Sequence, residues 1–125
     1  MAWLRRSAVA GAIALTTFGL SACGVGAGVS QARAACTYVT KALKLQHESA
    51  AKGITAAQRA SLETQALNLL LRAQGDAAAA TSADGSWNPL QTTIEEANRV
   101  PLQFEVPALT RICQVANSSS PYLGA

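Results

Sequence analysis

The chain has 125 residues, half of them apolar, 14% charged and 5% aromatic, with a formal net charge of +3. Two of its ten basic residues, Arg5 and Arg6, lie near the start, and from Cys23 onward eight Lys or Arg face seven Asp or Glu. No basic stripe with interleaved aromatics is left, so composition gives no support to binding nucleic acid or other polyanions.

Residues 1–22 read as a signal peptide: Arg5 and Arg6 supply the positive segment, and the stretch from Ser7 to Ala22 is uncharged. It is too short and too rich in small and hydroxyl residues for a membrane-spanning helix. The apolar and polar neighbours of a twin-arginine signal are missing around Arg5 and Arg6. The order Leu20-Ser21-Ala22-Cys23 resembles the lipobox of bacterial lipoproteins. That resemblance implies cleavage before Cys23, acylation of Cys23 (palmitate included) and attachment to the outer face of the cytoplasmic membrane. Ala32-Arg33-Ala34 offers a second site, the small-x-small pattern of ordinary signal peptidase, with a cut before Ala35 and a freely secreted product. The first alternative leads, because the second leaves a long stretch between apolar core and cut.

Residues 23–34, rich in glycine and small residues, read as a flexible tether. A helical domain is expected over 35–117. Its first helix runs from Ala35 to Lys52, with Cys36, Val39, Leu43 and Ala50 at helical spacing, Tyr38, Ala42 and Leu45 widening the stripe, and Gly53 as the stop. Thr55-Ala56-Ala57-Gln58 is a capping box opening a second helix whose inner face is Leu62, Ala66, Leu69, Leu70 and Ala73, with alanines 77–80 prolonging it. Residues 81–85 (TSADG) have turn chemistry. Asn88-Pro89 then gives an N-cap and a first-turn proline to a third helix with Trp87, Leu90, Ile94 and Ala97 on its apolar edge; Pro101 ends it. A fourth helix follows from Pro107 to Ala116, with Val106, Leu109, Ile112, Cys113 and Ala116 inward. Residues 118–125 read as a loose tail.

Cys23 goes to lipid or is cut away, which leaves Cys36 and Cys113 as a pair in an oxidising compartment. A disulfide between them closes nearly the whole folded region, and a small core gains from such a staple. It also selects a topology. An up-down antiparallel bundle of about four helices returns the end of the last helix to the start of the first. With the third and fourth helices in line, the cysteines would lie some 25 Å apart. The expected fold is therefore all-α, with first and last helices joined by the disulfide.

Catalytic chemistry is hard to assemble. His47, the one histidine, has only Glu48 beside it, and Cys36 and Cys113 lack further ligands, so neither metal nor cofactor is implied. Glu95 and Glu96 are adjacent and diverge by about 100° on a helix. Serines 118–120 lie in the tail without a nearby base, and Gly24, Gly26 and Gly28 are not in a strand-to-helix phosphate loop. Asn117-Ser118-Ser119 matches a glycosylation acceptor, but behind a bacterial-type leader the match carries no weight.

Trp87 and Phe104 flank the third helix and either cap the two ends of the core or line a cleft. The apolar connection from Val100 to Pro107 is the first place to look for a contact surface, with Trp87, Leu102 and Phe104 as candidate contacts for a partner or an apolar small molecule. The lipobox, the Ala-rich body and the Cys36/Cys113 pair resemble small exported all-helical proteins of actinobacteria, a likeness that transfers no catalytic residue. The expected function is non-enzymatic: a membrane-tethered envelope module that binds another envelope component. The alternative is a secreted small-molecule or lipid carrier whose site opens between Trp87, Phe104 and the leucines of the second helix.

Overall fold

A computed structural model describes residues 26–123. Residues 1–22, expected to be a signal peptide, and Cys23 lie outside the described residues. Within them the chain forms four helices, α1 (Val29–Ser49), α2 (Ala56–Ala83), α3 (Asn88–Glu96) and α4 (Val106–Ala116), with 3₁₀ turns at Gly85–Trp87 and Leu102–Phe104. No strand occurs among the described residues.

α1 and α2 pack along their lengths as an antiparallel hairpin, and the shorter α3 and α4 lie across it, α3 on α2 and α4 on α1. The hairpin seam is built from small residues. Ala32, Ala35, Val39 and Ala42 of α1 and Ala66, Ala73, Ala77 and Ala80 of α2 are all fully buried, so the two backbones can approach closely. Trp87, Leu90, Ile94, Leu109 and Ile112 supply the bulk under the short pair. Cys36 and Cys113, both buried, are bonded across the α1–α4 contact with Cα atoms 5.4 Å apart, as the up-down topology requires.

α1 begins six residues earlier than its sequence suggests, so the tether stops at Gly28. Val29 and Ala32 continue the stripe of Cys36 and Val39 into the core, and alanine is the best helix former. Gly28 takes φ +77° and accepts the Ala32 amide at 2.8 Å. A Cβ there would lie 2.6 Å from the Ala80 carbonyl oxygen at the end of α2. Gly28→Ala therefore suffers both the left-handed backbone and a clash against backbone, and is expected to cost about 1–3 kcal/mol. Gly53→Ala, at φ +84° in open space, meets only the first penalty. Thermal melts of the two variants should show the larger drop at Gly28.

Other boundaries shift for identifiable reasons. α1 ends at Ser49, whose buried hydroxyl donates to the Gln46 carbonyl. Ala50, expected inside, is exposed, and Gly53 bends the connection rather than stopping the helix. Thr55 and Gln58 form the capping box in both directions, 3.1 and 2.8 Å. α2 runs on past Gly75 and through the TSA of the expected turn, because the Thr81 and Ser82 hydroxyls donate to carbonyls four residues back instead of opening a turn. Asp84 breaks it and caps the following 3₁₀ turn by accepting the Ser86 amide. The cap expected of Asn88 thus falls to Asp84, and Asn88 is already helical.

The tail is not loose as far as Leu123. Arg33 of α1 donates from Nε to the Ala116 carbonyl and from Nη2 to that of Ser118, so a cation from another helix satisfies the C-terminus of α4. Leu123 then packs between α3 and α4, beside Pro89, Thr93 and Ile112.

Candidate functional site

Pro101 stops the chain after α3, and the backbone turns into a single 3₁₀ turn, with the Phe104 amide on the Pro101 carbonyl and the Glu105 amide on that of Leu102. Residues two apart in such a turn leave in different directions. Leu102 goes inward and is 6% exposed, whereas Phe104 goes outward and is 66% exposed, the most exposed large hydrophobic side chain among the described residues. Half-buried Val100 and Val106 flank the turn.

Beside it, at the end of the bundle away from Gly28, lies a cleft of about 360 Å³. Leu67 of α2 with Ala97 and Leu102 provide its apolar surface, and Gln46, Glu63, Asn98, Arg99 and Gln103 provide polar groups. Amides, one carboxylate and one guanidinium over an apolar floor can hold an amphipathic group. No nucleophile paired with a base lines the cleft.

The structure divides the three candidate contact residues. Trp87 is fully buried, so it is a core residue and makes no contact with a partner. It lies just before α3 while Phe104 lies beyond the end of α3, and the two do not share a site. Of the α2 leucines only Leu67 reaches the cleft, where it meets Leu102 rather than the two aromatics. Of the three, only Phe104 faces outward. Cys23, the proposed lipidation site, lies outside the described residues.

The other polar candidates stay apart. His47 is exposed and borders a shallow depression with Leu43, Gln103 and Val106. Among the described residues no three His, Cys, Asp or Glu side chains come together as metal ligands. Glu95 accepts a hydrogen bond from Gln91 on the helix surface, and the Ser118 hydroxyl is spent on the Val115 carbonyl. Among the described residues no helix is long and apolar enough to cross a membrane. Compared with protein-family models, curated proteins and solved structures, the chain matches none.

The sequence signal for the cleft was the apolar connection itself. Its polar rim comes from three distant segments, around Gln46, Glu63 and Asn98, which no local pattern joins.

Proposed function

We propose that the protein is a non-enzymatic envelope lipoprotein, anchored through acylated Cys23 to the outer face of the cytoplasmic membrane, whose helical bundle binds another envelope component at the Phe104 end. One observation favours Cys23 over Ala35 as the mature N-terminus: the folded domain begins at Gly28. Gly28 packs against Ala80, Val29 and Ala32 are core residues, and Arg33 caps α4. A cut before Ala35 would remove all four. A cut before Cys23 keeps them and leaves a short spacer.

The contact end is argued from Phe104, an exposed aromatic beside an amphipathic cleft, the combination enriched where partners bind. The same cleft supports the second reading, a carrier of a small amphipathic molecule, with Leu67 and Leu102 as its apolar contacts. Native mass spectrometry separates the two, since a carrier retains its ligand and an interaction module gives the apo mass.

The anchor is tested by the intact mass of protein extracted from the membrane fraction of a bacterial host that processes the leader. The expected mass is that of residues 23–125 plus acyl chains, rising by two hydrogens on reduction. A soluble species starting at Ala35 would overturn the anchored reading.

A further inference from the structure

The anchor and the fold together define an orientation. Five residues, 24–28, link Cys23 to α1, and a chain of that length spans at most about 18 Å. Its exit point is fixed because Gly28 is seated against the Ala80 backbone. The end of the bundle that carries Gly28 also carries the start of α3 and the end of α4. From Val29 to Gln46, beside the cleft, α1 rises about 25 Å, more than the tether can span.

The surfaces differ in charge as well. Exposed Lys41, Lys44, Glu48, Glu63 and Arg72 lie on the long flanks of the hairpin. Near Gly28 the exposed groups include the uncharged Ser30, Gly85 and Ser119, and two exposed arginines, Arg33 and, beside Leu123, Arg111. Arg33 holds the Ala116 and Ser118 carbonyls, and Asp84 is half-buried on the Ser86 amide. The tail adds one aromatic, Tyr122, 52% exposed between Ser118, which Arg33 holds, and Leu123, which lies beside Pro89. The one carboxylate here is half-buried on a backbone amide and the exposed charges are cationic, so anionic headgroups meet no exposed carboxylate, and an exposed tyrosine suits the headgroup level of a bilayer.

We propose that this end is a lipid-facing surface: the bundle stands on the bilayer that holds the acyl chains, with Tyr122 at the headgroups and Phe104 displayed at the opposite end. This rests on the reading of Cys23 as the anchor.

The test uses the lipidated protein, isotopically labelled and reconstituted in bilayer discs containing a lipid with a gadolinium-chelating headgroup. The amide signals of Ser30, Gly85 and Ser119 are expected to be lost and those of Asn98 and Gln103 to persist. Acylated protein attenuated along Lys41, Lys44 and Arg72, or uniformly, would overturn the orientation alone. A mass without acyl chains would overturn anchor and orientation together. A Cys23→Ala protein, added without a lipid, should keep every signal; loss at Ser30 in that sample would show that the end binds lipid unaided and would support the lipid-facing assignment independently of the anchor.

Discussion

Replacing Cys36 and Cys113 together by alanine is expected to lower the melting temperature by about 20–30 °C. The residues are 77 positions apart, and on the chain-entropy model a loop of that size is worth about 4.5 kcal/mol at 25 °C. The effect acts mainly on the unfolded chain, whose freedom increases when the link is cut. A domain of roughly a hundred residues has about 5–15 kcal/mol of stability, and each kcal/mol shifts its melting point by about 4–8 °C. Alanine is the proper replacement, because both sulfurs are buried and a serine hydroxyl would need a partner. The measurement is thermal unfolding followed by circular dichroism, for the double variant and for the parent with and without reductant. Reduced parent and double variant should melt together, far below the oxidised parent. Coincident curves for all three would remove the disulfide as the staple of the bundle.

That disulfide was legible because two cysteines left over behind an expected export leader are a constraint that local sequence can carry. The helix signals anchored in specific chemistry also held, including the reciprocal Thr55–Gln58 cap and the stop before Pro101. What escaped depends on residues far apart in sequence. The stretch 29–34 looks like linker because it lacks large side chains, yet its alanines fit the seam made by the alanines of α2. Arg33 finds its acceptors 83 and 85 residues away, and through them the tail is tied down. Asp84 and Asn88 are both good caps, and only the extended backbone at Asp84 decides between them. The inward turn of Leu102 and outward turn of Phe104 follow from 3₁₀ geometry after Pro101, which the apolar composition of the connection does not encode.

Trp87 and Phe104, alike in sequence context, should respond in opposite ways to truncation. Trp87 is fully buried among the helices it joins, so Trp87→Ala leaves a cavity the size of an indole and is expected to cost about 3–5 kcal/mol. Phe104 is 66% exposed, so Phe104→Ala should stay within about 0.5 kcal/mol of the parent. Urea unfolding at equilibrium distinguishes them: the Trp87 variant shifts its midpoint far down with an unchanged slope, while the Phe104 variant unfolds with the parent. In protein with the leader removed at either expected site, Trp87 is the single tryptophan and its own fluorescence reports the transition in the parent and in Phe104→Ala. The contrast bears on function. In cells Trp87→Ala should lower the amount of protein, a fold effect, whereas Phe104→Ala should leave the amount intact and weaken contact with the partner. If Phe104→Ala destabilised the domain as much as Trp87→Ala, the phenylalanine would be part of the core and the contact surface would have to be sought elsewhere on the bundle.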